Sequence, residues 1–456
     1  MTCRKSLAEN HPTRVGSPET EYVKQFRTGP DAAGSKQVMR TTELTIETKM
    51  RRQRLARLLA PIGPGLVVML ADMDAGSVIT VAQSGAQWGY RLLLLQLVLI
   101  PLMFMAQELS VRLGLCVGEG FGKLVRQRFG KAVAILVTTI LLLSCFGALV
   151  TEMSGLVGAG SLFGIAPWQT LALVVTLILG MVLTGSYHAV ERVAIAIGLF
   201  CLAFLVMAVK ARPDGGQILH EIWRMPITDR GYLYLVAANI GTSIMPWTIF
   251  YQQAALIDKG LNSRQLKAAR IDTLLGAILC QTLTVAVLIA SAATLGRTHH
   301  ETGLDNIAQI GEALGTLIGP TWGKAAFAIG LSGGALVAAI VVCLTVAWAM
   351  GEVVGVRHSL EQHPLDAPWF YGPFAVLLIG GAVLVGSGVN LIRLLIAVGV
   401  ANALLLPLVL LLLFLLARRA LPHEYRLRGR YAIVVGISFA LIAVLGLYAG
   451  ITGSLA

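Results

Sequence analysis

Apolar runs of about 20 residues recur from residue 61 onward, and that is the length a helix needs to cross the ~30 Å hydrocarbon core of a bilayer. In lipid every backbone N–H and C=O must be satisfied within the protein, so such runs restrict the chain to a bundle of spanning helices. They fall near 61–88, 92–115, 131–158, 168–185, 191–210, 232–257, 272–295, 323–350, 369–387, 391–416 and 431–452, eleven in all. Composition agrees: 56% of the 456 residues are apolar and 13% are charged, against about a quarter charged in a soluble domain.

The formal charge of +12 does not imply nucleic acid, because the basic residues sit at the ends of apolar runs with no aromatic-interleaved patch for stacking bases. Topology accounts for them. Lys49, Arg51, Arg52, Arg54 and Arg57 precede the first run and fix the N-terminus inside by the positive-inside rule. The loops holding Lys123, Arg126, Arg128 and Lys131, then Lys259, Arg264, Lys267 and Arg270, then Arg418, Arg419, Arg426, Arg428 and Arg430 all fall inside on this count. An odd number of spans puts the C-terminus outside. Residues 1–56 are polar without an apolar core, and read as a disordered, basic cytoplasmic tail rather than a signal peptide. The six cysteines are scattered, with no CxxC pair, and imply no disulfide framework.

Two runs are interrupted near their middles, the first by Asp72-Met73-Asp74-Ala75-Gly76-Ser77 and the sixth by Met245-Pro246-Trp247. A carboxylate at such depth costs roughly 2.5–3.5 kcal/mol or more. Paired breaks in corresponding segments point to a transporter's substrate site. Asp74 and Ser77 offer oxygens that suit a divalent cation, and Gly76 eases an irregular backbone. Pro246 has no N–H, which frees a carbonyl one turn back around Thr242, and Met245 brings a thioether beside it. Asp72 faces the same cavity or accepts a hydrogen bond from a helix N-terminus.

Spans one to five (57–210) and six to ten (232–416), joined by an extracellular loop at 211–231, form two five-helix units. An odd number per unit inverts one relative to the other. The remainder, 417–456, is a loop and an eleventh helix. This arrangement resembles the LeuT-like inverted repeat, in which unwound parts of the first and sixth helices hold substrate at mid-membrane. The expected fold is therefore an all-α integral membrane bundle of 5+5 helices plus one.

The stretch Gly63-Pro64-Gly65, Asp74-Ala75-Gly76-Ser77 and Gln83-Ser84-Gly85-Ala86-Gln87-Trp88-Gly89-Tyr90 resembles the first helix of the NRAMP divalent-metal transporters, which reads GPG…DPGN…QAGAxYGY. Leu109 to Gly114 is similar to that family's LxxRLG, Thr151 to Gly158 also matches, and Met245-Pro246 stands where the family has MPH. The resemblance implies that Asp74, Ser77 and Met245 bind metal, with main-chain carbonyls near Ala75 and Thr242. Ala75 stands for that motif's proline, Ser77 for its asparagine and Thr242 for a common alanine, and three further positions depart from the proton-handling pattern. The second of two acids spaced by three, after Glu152, is Gly155; the histidine after Met-Pro is Trp247; the next histidine along that helix is Gln252. Neither a glycine nor an indole takes up and releases protons near neutral pH. The pattern is similar to the NRAMP-related magnesium transporters, a branch uncoupled from protons.

The reading is a plasma-membrane carrier of Mg2+ and/or Mn2+ working by alternating access without proton coupling. It needs no resident cofactor, its ion is its substrate, and its partner is the bilayer. A proton-coupled Mn2+/Fe2+ symporter is the alternative, and a LeuT-like carrier of an organic cation or amino acid a further one. A membrane hydrolase finds no HExxH, GxSxG or protease-like aspartate pair. Further candidates are Glu152, pairing with Arg192 in a gate or lining a wet vestibule; Asn402, as an oxygen ligand or a helix–helix hydrogen bond; His188, Glu191 and Arg192, as a cap or salt bridge; and His299-His300-Glu301, as an outer metal relay or a solvated loop.

Overall fold

Helices make up every regular element that the computed structural model describes, over residues 63–183, 186–296, 307–315, 317, 319–354, 360, 366–388 and 391–454. The expected tail at 1–56 and the His299-His300-Glu301 loop lie outside these residues. The first run is split into α1 (Pro64–Asp72) and α2 (Ala75–Trp88). There follow α3 (Leu93–Val117), a short α4 (Phe121–Phe129), α5 (Lys131–Ser161), α6 (Pro167–Val182), and α7 (Tyr187–Gly198) continued through a 3-10 turn into α8 (Ala203–Lys210). After the short α9 (Gly215–Glu221) the sixth run is likewise split, into α10 (Arg230–Ser243) and α11 (Pro246–Asp258). The chain then continues as α12 (Leu266–Thr294), α13 (Ile307–Gly315), α14 (Pro320–Val354), α15 (Pro368–Gly386), α16 (Leu391–Arg419) and α17 (Gly429–Ser454).

Nine spans among the described residues are long and apolar enough to cross a bilayer, and α1 with α2, bent by 47° at their junction, supplies a tenth. The eleventh expected span is α6, whose 16 residues reach only ~24 Å and fall short of the hydrocarbon core. Large apolar side chains such as Leu143, Val376, Leu441 and Val444 are exposed on the outside of the bundle, where water would penalise them and lipid does not.

Burial ranks the helices by position. In the most apolar stretch of Arg230–Asp258, 94% of residues are buried, against 33% for Gly429–Gly453. The split helices are therefore central and α17 peripheral. Along its length α12 packs on α1 and α2, α14 packs on α5 and α1, and α10 lies against α16 and α17. Both interruptions thus sit inside a wall of helices rather than against lipid.

Candidate metal site

The first break forms because α1 stops at Asp72 and the next residues leave helical geometry, with Asp74 extended at ψ 176. Asp74 then caps α2: its Oδ1 accepts the Ser77 amide at 2.6 Å. Capping thus falls to Asp74, not to Asp72. Asp72 accepts only a long contact from the Cys280 thiol, 3.8 Å, and its other carboxylate oxygen is buried with no hydrogen-bond partner.

The second break is set by Pro246, which occupies the first position of α11 while Met245 lies extended before it. The carbonyl that Pro246 frees is not bare. The Ser77 hydroxyl reaches both the Thr242 carbonyl, at 3.1 Å, and the Asp72 carbonyl, at 2.9 Å. One hydroxyl proton serves one carbonyl at a time, so an oxygen lone pair on this triad remains for an ion. Ala75 fits its expected role less well. It lies in the first turn of α2, where its carbonyl is committed to the helix, and its amide donates to Glu152 Oε2 at 3.0 Å.

Glu152 is fully buried at this same point, so its expected pairing with Arg192 does not occur. Its second oxygen accepts the Thr151 hydroxyl at 3.1 Å, while its first holds the amide of Ala75, next in sequence to Asp74. Arg192 instead donates to the His188 carbonyl of its own helix, on an exposed face. The reason is position: Glu152 lies about two-thirds of the way along α5, against the break, while Arg192 lies in the middle of α7 on an exposed face. Asn402 Oδ1 accepts the Ser144 hydroxyl at 2.8 Å, which makes the residue a tie between α16 and α5 rather than an oxygen open to an ion.

The departures from the proton-handling pattern have structural counterparts. A Cβ on Gly155 would collide with the Cβ of Ala75, so α5 and α2 touch where the expected acid would stand. Trp247, fully buried, donates its indole N–H to the sulfur of Met245 at 3.1 Å. Gln252 donates to the Thr273 hydroxyl at 3.3 Å.

Asp72, Asp74 and Glu152 are all at most 2% exposed, and among the described residues none has a basic partner. Other buried acids do find compensation. Glu108 accepts from Arg112 and Arg270, each at 2.6 Å; Glu191 accepts from Lys259 at 2.7 Å; and Asp272 accepts the amides of Gly63 and Gly65 at 3.1 and 2.8 Å. The break therefore gathers buried carboxyls that have neutral donors but no basic side chain to balance their charge, which requires protons or a bound cation. Among the described residues no three His, Cys, Asp or Glu side chains converge as a metal set. An ion here completes its shell from hydroxyl, thioether, carbonyl or water.

Sequence reasoning passed over Asp272 and Glu108. Both are acids inside apolar runs, and that depth was itself the available signal. Asp272 fastens the start of α1, where Gly63 adopts φ 137° and a Cβ would collide with Glu191 Oε1. The Glu191–Lys259 pair, both side chains under 10% exposed, closes over the same end. A cavity of about 640 Å³ is lined in part by Glu119, Lys123, Arg126, Asp258 and Glu352, and by none of the residues of the break.

Two split helices meeting at buried carboxyls without a basic partner, inside a bundle of further helical spans and connectors, define an integral membrane protein of the LeuT-like inverted-repeat class. A family profile described as "Natural resistance-associated macrophage protein-like" (Nramp) matches residues 65–452, and the chain belongs to that family. It is similar to the divalent metal cation transporter MntH of Agrobacterium fabrum, 26% identical over 301 residues, covering 61% of this chain and 63% of that relative's length. In structure it is similar to the manganese transporter of Eremococcus coleocola, with a TM-score of 0.69, 18% identity and 88% of each chain covered. It is also similar to MhsT, solved with L-phenylalanine, with a TM-score of 0.55, 15% identity, and 87% of this chain and 98% of that one covered. At these identities the two structures speak for the fold.

Proposed function

We propose that the protein is a carrier, not an enzyme, that moves divalent metal cations across the plasma membrane by alternating access. The observation that carries this reading is the set of three buried carboxyls without a basic partner at the α1–α2 break. An amino acid or organic substrate of the kind its fold relatives accept would need donors or an apolar pocket there, whereas this site supplies acceptors. The relatives named as divalent metal cation transporters support the same substrate class.

The ion enters from outside, keeps part of its water, and binds between Asp74, Ser77, Met245 and the carbonyl of Thr242. It leaves at the end where Glu191 and Lys259 pair, which the basic loops orient toward the cytoplasm, with the C-terminus outside. Membrane potential drives uptake: two charges across 100 mV amount to about 4.6 kcal/mol. Mg2+ is the favoured ion with Mn2+ also carried. The small Ser77 hydroxyl leaves room for an ion that dehydrates reluctantly, and Gly155, Trp247 and Gln252 provide no proton route. Proton coupling is the second reading, and the observation that favours it is a second acid, Glu152, fully buried at the break and held by the amide of Ala75 next to Asp74.

The test is Mg2+ and Mn2+ influx into proteoliposomes at a set potential, with internal pH followed. Mg2+ influx without acidification supports the uncoupled reading. Mn2+ influx with matching acidification and no Mg2+ influx overturns it in favour of a metal–proton symporter.

A further inference from the structure

A thioether in a site for Mg2+ is a chemical conflict, since sulfur favours softer ions. The geometry around Met245 offers a resolution. Its sulfur is 3.1 Å from Nε1 of Trp247, and both residues are almost wholly buried, Met245 before the first turn of α11 and Trp247 in it. A buried indole N–H needs an acceptor, and here the acceptor is the sulfur. Pro246 between them fixes the backbone that holds the two side chains together.

A thioether sulfur is a weak acceptor with little electron density to share. An N–H aimed at it engages part of that density and withdraws charge from the remainder, as hydrogen bonds to a ligating group tune other metal sites. It also restricts the rotation by which an unbranched side chain would adapt to a soft ion. We infer that Trp247 is a specificity-determining residue, whose indole N–H holds the Met245 sulfur and lowers the site's preference for soft divalent cations over hard ones. The inference rests on the reading of Met245 as a residue that faces the transported ion.

The experiment measures half-saturating concentrations for Cd2+, Mn2+ and Mg2+ in proteoliposomes carrying wild type, Trp247→Phe, Met245→Ala and the double variant. Phenylalanine keeps a ring in place and removes the N–H. Trp247→Phe is expected to improve Cd2+ and Mn2+ relative to Mg2+ by about two- to tenfold, the scale of one hydrogen bond. In the Met245→Ala background that shift disappears. A ratio unchanged by Trp247→Phe overturns the inference, and so does a shift that persists without the sulfur, because repacking alone would produce it. Should the phenylalanine variant fail to fold, Trp247→Leu carries the same comparison. If wild type moves none of the three ions, the proposed function itself fails, an outcome separate from an unchanged ratio in a working carrier.

Discussion

The hydroxyl of Ser77 lies 3.1 Å from the carbonyl of Thr242 and 2.9 Å from that of Asp72, so one side chain ties the end of α1 to the end of α10. The two breaks cannot move apart without losing it. Ser77→Ala leaves a buried carbonyl without its donor, at a cost of about 1–3 kcal/mol. A lower midpoint of thermal unfolding in detergent and weaker ion affinity are expected. An unchanged midpoint would mean that the tie carries no weight.

Asp74 combines two tasks, capping α2 through the Ser77 amide and presenting a carboxylate at the break. Asp74→Ala is expected to reduce divalent cation influx to the level of empty liposomes. Asp74→Asn, which can keep the cap through its side-chain oxygen, should retain most of the stability and none of the transport. Wild-type influx in either variant would remove Asp74 from the site.

Met245 offers the only thioether in the second break. Replacing it by alanine should weaken Mn2+ by several-fold and Mg2+ by less. Equal losses for the two ions, read from half-saturating concentrations, would place the sulfur outside the coordination shell.

The Glu191–Lys259 pair joins α7 to the end of α11 with both partners nearly dry. Lys259→Ala strands a carboxylate and is expected to destabilise the closed form by about 3–5 kcal/mol. The double variant Glu191→Gln, Lys259→Met removes the stranded charge, so its unfolding midpoint should recover toward wild type. Its inner end should still open more readily, measured as faster labelling of a cysteine introduced near Gly63. Labelling at the wild-type rate would show that the pair does not restrain that end.

The helical spans were legible because lipid imposes a length on each apolar run; among the described residues ten of the eleven expected runs are long enough to cross, and the fourth, α6, is helical but shorter. The two breaks were legible for the same reason, since Asp74 and Pro246 are costly where they stand. What escaped were partnerships across sequence distance. Asp272 meets Gly63 and Gly65 across more than 200 residues, and no local pattern announces it. Glu152 stayed open between a gate with Arg192 and a wet vestibule, because its orientation depends on the face that α5 turns toward α2, which a nearly uniform apolar run does not disclose.

The contact between Gly155 and Ala75 sets a limit on what position 155 can hold. Even a single methyl there would overlap the Ala75 methyl. An acid placed at 155 by one substitution therefore arrives as a steric defect before it can act as a proton carrier. Accommodating it would require α5 and α2 to be prised apart first, by changes that bring no benefit on their own. The glycine is thus locked in by its neighbour, and the break is closed to gaining a second acid on that face in a single step.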